Sequence, residues 1–302
     1  MARGDTLRLF HLPFSFALPQ KVASERGYYE AEGLTVELVE RDRRTVDVKY
    51  IPADETLTGD HDVDIYPVCK WESLRRTWRM DDGRVVAKGT FADQPYTVFV
   101  RPDAGIESPA DLANAEVAVN RRTGQEYTAM RALEEHVDPD EITLVHRGMP
   151  TDRLRALREG DVDAVTLIEP QSTLATHLGF ERLLEFENHV GIVASDAVGR
   201  EALESFVAAY GRAARAINAE PEAFREEYLE MLEKDRRVAP DLFEDVDVKE
   251  LERSVSVPRY DPPELADRDE LTAHLEWMKD RDLIDEAAEI DAIVGPVGET
   301  DA

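Results

Sequence analysis

One order of elements occurs twice in this chain, strand, helix, strand, helix, strand, and that order restricts it to parallel sheets layered with helices and right-handed crossovers. The first copy covers residues 7–69. LRLFHL reads as a strand, LPQKVASERGYYEAEG as a helix, LTVELVE as a strand, and GDHDVDIYPV as a turn feeding a strand after a polar connection with weak helical pattern. The second copy covers residues 115–170. It runs through AEVAVN, TGQEYTAMRALEEHV with apolar positions at helical spacing, EITLVHRG, TDRLRALREG and GDVDAVTLIEP. Asp62-Val63-Asp64 echoes Asp161-Val162-Asp163, each time just after a glycine suited to closing a helix. Within the first copy, Gly33 fits the position past a helix C-terminus, where φ turns positive, and Leu34, Val36 and Leu38 then alternate with Thr35 and Glu37.

Each copy therefore reads as a small doubly wound lobe, and two lobes enclose a cleft. YTVFVRPDAGIESPADL, residues 96–112, supplies a strand that crosses between lobes, a turn, and a short helix opened by Ser108-Pro109. NHVGIVASDAV, residues 188–198, is the return crossing. The rest is helical: EALESFVAAYGRAARAINA, PEAFREEYLEMLEKD and LTAHLEWMKDRDLI.

Composition excludes several function classes. A formal charge of −29, spread along the chain, argues against nucleic acid as a partner. Only seven of the 36 basic residues are lysine, an Arg-preferring, acid-rich balance that resembles proteins of salt-loving organisms. No 18-residue apolar run is present, so no membrane span is expected. The start, MARGDTLRLFHLPFSFALPQ, carries no visible signal peptide, so the chain is expected to be cytoplasmic as encoded, and extracytoplasmic if that start is processed or misassigned. The lone Cys69 allows no internal disulfide. The histidines show no metal-ligand spacing, and there is neither a phosphate loop nor a nucleophile elbow, so no metal or cofactor is expected.

Five stretches in order, RGYYEAEGLTVELVE, GDHDVD, GIESPADLANAEVAVNRRTGQEY, GDVDAVTLIEP and LEWMKDRDLID, resemble the periplasmic-binding-protein family that serves nitrate, sulfonate, taurine and pyrimidine-precursor importers. The resemblance implies an α/β protein of the type II periplasmic-binding fold: two doubly wound lobes joined by a two-strand hinge, with a ligand cleft between them. Lobe one would comprise residues 1–96 and 195–302, and lobe two residues 97–194. It implies a small-molecule ligand, an organic anion such as a sulfonate or carboxylate, or a planar heterocycle. The partner would be the permease of an ABC importer, and Tyr28 and Tyr29 would be packing residues of lobe one. It also admits a cytoplasmic enzyme on the same fold, since pyrimidine-precursor synthases, aromatic desulfinases and dihydroxyphthalate decarboxylases look like relatives. The multi-cysteine run of the synthases is absent here, and no acid–base pair is evident.

Ligands of open parallel sheets sit beyond the carboxyl ends of strands, which selects four clusters. After the first strand come His11, Phe14 and Ser15, with Pro13 and Phe16, which line the cleft or pack the core. After the third come Tyr66, Cys69, Lys70 and Trp71. Tyr66 and Trp71 can stack on a planar ligand and Lys70 can pair with its negative group, or Trp71, Leu74 and Trp78 form the buried stripe of the next helix. Cys69 as a nucleophile needs a lowered pKa, with His11 the one base in reach. In lobe two, Arg121, Arg122, Thr123, Gly124 and Gln125 open a helix whose free N–H groups suit an anion, or Thr123 only caps it while the arginines face solvent. Glu169, before Pro170, accepts from an amine or ring N–H of the ligand, or fixes its own loop.

Overall fold

The computed structural model describes residues 6–11, 15–40, 63–80, 83–90, 94–121, 123–187 and 189–295. Phe14, Arg122 and the connection after Glu40 lie outside the described residues. Among those described, the chain builds two sheets. Strand β1 (Thr6–His11) buries Leu9, Phe10 and His11 and leads into helices α1 (Leu18–Glu25) and α2 (Tyr28–Ala31). The sequence reads this stretch as one helix. It breaks at Gly27, whose φ of +68° no L side chain adopts cheaply, and α2 then closes at Gly33 with φ +80°. Tyr29 is fully buried and stacks on Phe206 at 5.9 Å, as a packing residue should.

Strands β2 (Thr35–Glu40) and β3 (Ile65–Cys69) flank β1 in parallel, with Thr6 opposite Thr35 and Leu9 opposite Ile65. Helix α3 (Lys70–Met80) and strand β4 (Arg84–Thr90) follow, and the chain then crosses to the second sheet. There it forms β5 (Tyr96–Val100), β6 (Glu116–Val119), α4 (Gly124–Leu133), β7 (Thr143–His146), α5 (Pro150–Glu159), β8 (Ala164–Leu167), α6 (Gln171–His177) and β9 (Glu181–Phe186). It returns as β10 (His189–Ala194). The strand orders are β11-β4-β10-β3-β1-β2 and β7-β6-β8-β5-β9, where β11 is Glu264–Leu265. Each sheet thus has three parallel strands and then an antiparallel strand that belongs to a crossing: β10 beside β3, and β5 beside β8. Gly191 lets β10 approach α3, since a Cβ there would lie 2.7 Å from Ser73 Oγ.

The Asp echo is structural. The Asp64 carboxylate accepts from Arg8 N at 2.8 Å, and Asp64 N donates to Arg8 O at 2.7 Å. The Asp163 carboxylate accepts from Glu116 N at 2.8 Å, and Asp163 N donates to Glu116 O at 3.1 Å. In both copies the aspartate before the third strand satisfies the start of the first.

The remaining helices are α7 (Arg200–Ala219), α8 (Arg225–Val238), α9 (Val248–Ser254), α10 (Arg268–Lys279) and α11 (Ile290–Ile293). Helix α7 covers α1 and α2, while α10 and α11 pack on α3. The segment between them reaches the second sheet: α9 packs on α6, Arg155 and Arg158 of α5 bind Asp241, and Tyr228 Oη donates to Gln94 Oε1 at 3.0 Å. One apolar cluster runs from Leu9 and Ile65 of the first sheet to Val165 and Leu167 of the second. Among the described residues, no helix is long and apolar enough to cross a membrane.

Candidate functional site

Tyr96 lies next to the carboxyl end of β8 and within electrostatic reach of Cys69, which ends β3. Thr97 pairs with Leu167, so Tyr96 stands beside the end of β8. Its phenol is pushed above the ordinary tyrosine range, first by burial and next by the Cys69 thiol at the end of β3, with the Arg153 guanidinium opposing. Helix contacts hold the same edges together. Trp71 Nε1 donates to Thr128 Oγ1 at 2.8 Å, and the Tyr127 hydroxyl donates to Glu72.

Around these edges, buried polar atoms lack protein partners among the described residues. They are Ser15 Oγ after β1, Gln125 Oε1 in the first turn of α4, Arg153 Nη2 at the start of α5, and Ser172 Oγ at the start of α6. Because β6, β7 and β8 are parallel, the last three share one edge of the second sheet. Native proteins leave few buried polar groups unpaired, and these four are aligned on strand ends, the edge at which open parallel sheets take up ligands.

Arg153 stands out. It is 0% exposed, and its Nε donates to Thr166 O at 2.8 Å while Nη1 donates to Gly148 O. No ion pair to it is present among the described residues. Burial pushes its pKa down to about 9, with Tyr96 and Asp152 pulling weakly the other way. Sequence reading passed over this residue. Its signal was an arginine in helical register with Pro150 and Leu157 on the buried side of TDRLRALRE.

The expected site residues fall into several environments. His11 is buried, with Nδ1 3.3 Å from Gln20 Oε1. Ser15 is buried and its carbonyl accepts from Tyr260 Oη at 2.6 Å. Tyr66 sits in an apolar cluster with Phe10, Val68, Trp71 and Tyr127. Trp71 is fully buried, 4.8 Å from both the His274 and Trp277 rings, with Leu74 beneath it in the buried stripe. Lys70 is half-buried over the Trp71 ring at 4.9 Å, and burial lowers its pKa to about 8. The Cys69 thiol accepts from Glu72 N at 3.4 Å and is pushed up to about 12, by burial first and by Glu72 next. That shift runs opposite to the lowered pKa a nucleophilic cysteine needs.

On the second sheet, Thr123 caps α4, accepting from Gln125 N at 3.3 Å, and Gly124 is buried behind it. Arg121 is exposed and turns to β7, where Nη2 donates to Leu144 O at 2.9 Å. Its Nε lies 3.6 Å from Glu126 Oε1, so its charge is partly spent locally. Glu169 folds onto its own helix, accepting from Thr173 N at 3.1 Å and Thr173 Oγ1 at 2.6 Å. Among the described residues, no group of three or more His, Cys, Asp or Glu is placed to hold a metal ion.

The family described as NMT1/THI5 like matches over residues 17–224. No curated protein matches the chain. Among solved structures, the chain is similar to the periplasmic aliphatic sulphonate binding protein SsuA from Escherichia coli, at 14% identity and TM-score 0.70, covering 99% of this chain and 94% of that one. It is similar to the alkanesulfonate-binding protein SsuA from Xanthomonas axonopodis pv. citri bound to MOPS, at 13% identity and TM-score 0.71, covering 97% and 99%. It is also similar to the desulfurization enzyme DSZB, at 17% identity and TM-score 0.59, covering 97% and 96%.

Proposed function

The chain belongs to the NMT1/THI5-like family and has the type II periplasmic-binding fold, and on that premise we propose that it is the solute-binding protein of an ABC importer. Its ligand is a small organic anion, a sulfonate or carboxylate, held between the two lobes; a planar heterocycle is the wider alternative. The lobes divide where the chain crosses, after β4 and after β9, and the protein works outside the cytoplasm. The observation that carries this reading is the row of buried, uncommitted polar atoms on Ser15, Gln125, Arg153 and Ser172 at the strand ends. Both SsuA neighbours bind sulfonates, which fits an anion at that edge.

The DSZB neighbour gives a second reading, an enzyme on the same fold. The environment of Cys69 speaks against a thiolate mechanism, because a nucleophile needs its pKa lowered and burial here raises it. Native mass spectrometry of the purified protein, followed by incubation of any retained compound with fresh protein, separates the two. The binding reading expects a retained or titratable organic anion whose mass stays constant over hours. A mass change that depends on the protein transfers the assignment to the enzyme class.

A further inference from the structure

We infer that Arg153 and Tyr96 form the charge-selecting subsite of this protein, a guanidinium and a phenol that together receive one oxyanion of the ligand. This rests on the solute-binding reading and narrows it from small anions and heterocycles to ligands that carry an oxyanion at this position.

The argument starts from a missing counter-ion. A guanidinium taken wholly out of water is costly unless a negative group or a full set of acceptors replaces its hydration. Two of the three Arg153 nitrogens have backbone carbonyls as partners, Thr166 O and Gly148 O, and those oxygens are neutral. Nη2 is buried with no acceptor among the described residues. Tyr96 stands within electrostatic reach of the guanidinium, and its hydroxyl makes no hydrogen bond within the described residues. Two donors without acceptors, one of them cationic, are therefore presented together where β5 leaves the hinge beside the end of β8. A carboxylate or sulfonate oxygen is the group that satisfies both, since it brings a negative charge and several lone pairs.

Position adds a consequence. Arg153 is anchored to the second sheet, whereas Tyr96 begins the strand that enters that sheet from the first. An oxyanion shared by the two ties the hinge to the second lobe. The cations favoured by sequence reading sit elsewhere: Arg121 binds β7, and Lys70 lies over Trp71. Both are spared by this subsite, and Arg121 serves as the control.

The test compares wild type with Arg153→Met, Arg153→Lys, Tyr96→Phe and Arg121→Met. Isothermal titration uses sodium ethanesulfonate and sodium benzoate, with benzamide as the neutral probe. Wild type is expected to bind at least one oxyanion and to bind benzamide at least tenfold more weakly. Arg153→Met should lose about 10- to 100-fold in affinity, the range for a charged hydrogen bond, and Tyr96→Phe about tenfold. Arg153→Lys should retain part of the affinity, and Arg121→Met should match wild type. Without ligand, Arg153→Met should melt at or above wild type, because an uncompensated buried charge has gone. Wild-type affinity in Arg153→Met, or in Tyr96→Phe should the methionine variant not fold, overturns the subsite and leaves the solute-binding reading standing. Failure of wild type to bind either oxyanion removes that reading for such ligands, and the subsite with it.

Discussion

Glu134 is the most informative single side chain for the contact between the lobes. It follows α4 of the second sheet, and its carboxylate accepts from Arg281 Nε at 2.6 Å, Arg281 Nη2 at 2.5 Å and Trp277 Nε1 at 3.1 Å, all belonging to the α10 region that packs on the first sheet. Arg281 also lies 4.5 Å over the Trp277 ring, and Arg131 bridges the Trp71 and Trp277 rings at 5.9 and 5.7 Å. Glu134→Gln keeps shape and one acceptor while removing the charge. A charged hydrogen bond contributes about 1.5–3 kcal/mol when sheltered. The Arg281 side chain is 28% exposed, so the pair is discounted toward the surface value of roughly 1 kcal/mol. The net loss should be about 2 kcal/mol, borne by the state in which the lobes touch. A difference of that size multiplies the separated population about 30-fold. Small-angle scattering of the ligand-free variant should show a larger radius of gyration than wild type, and amides of residues 124–134 should exchange faster. Identical scattering and exchange in the two proteins would refute the idea that this cluster holds the lobes together.

Three further outcomes are expected. Asp64→Ala and Asp163→Ala should each cost about 1–2 kcal/mol, because each frees a strand-starting N–H, and calorimetry should record similar drops in Tm for the two, of about 2–4 °C per kcal/mol. Burial, and secondarily the Lys70 ammonium, pushes the His274 pKa down to about 3 from 6.5, with Glu270 opposing. The folded state thus prefers neutral His274, so its contribution is present above pH 6.5 and is lost as pH falls toward 3; urea midpoints should fall across that window, less steeply in His274→Gln. Raising KCl from about 0.1 M to above about 1 M shortens the screening length from roughly 10 Å to roughly 3 Å, so a chain of charge −29 should melt higher in the stronger salt, and a flat response removes the salt-adapted reading of its composition.

Local patterns carried most of the fold. The alternation of elements set the three-stranded parallel part of each sheet, Gly33 marked a true helix end, and Trp71 with Leu74 followed helical spacing into the core. Even the short Asp-Val-Asp echo had a physical basis, since both copies use the second aspartate to hold a neighbouring strand. What escaped was non-local. The insertion of β10 beside β3 and β5 beside β8 pairs segments more than sixty residues apart, which no window of sequence displays. Residues 221–254 likewise touch distant parts of the chain, α1 through Lys21 and Glu230 and α5 and α6 through Asp241 and α9. At the strand ends, the sequence reading named Ser15, Gln125 and the neighbourhood of Ser172, where the structure has buried polar atoms without partners among the described residues. Arg121 turns instead to the β7 carbonyl of Leu144, and Arg153 carried no strand-end or motif signal that would have drawn attention to it.

The central claim, that the two lobes close on an oxyanion at their strand ends, is tested most directly by a crystal structure of the protein with the compound it retains or binds most tightly. Ligand oxygens within about 3.2 Å of Arg153 Nη2 and the Tyr96 hydroxyl, with Gln125 or Ser172 completing the shell, are the expected result. A ligand bound elsewhere, against Lys70 or on the exposed Arg121, with Arg153 Nη2 still unpartnered, would contradict the account.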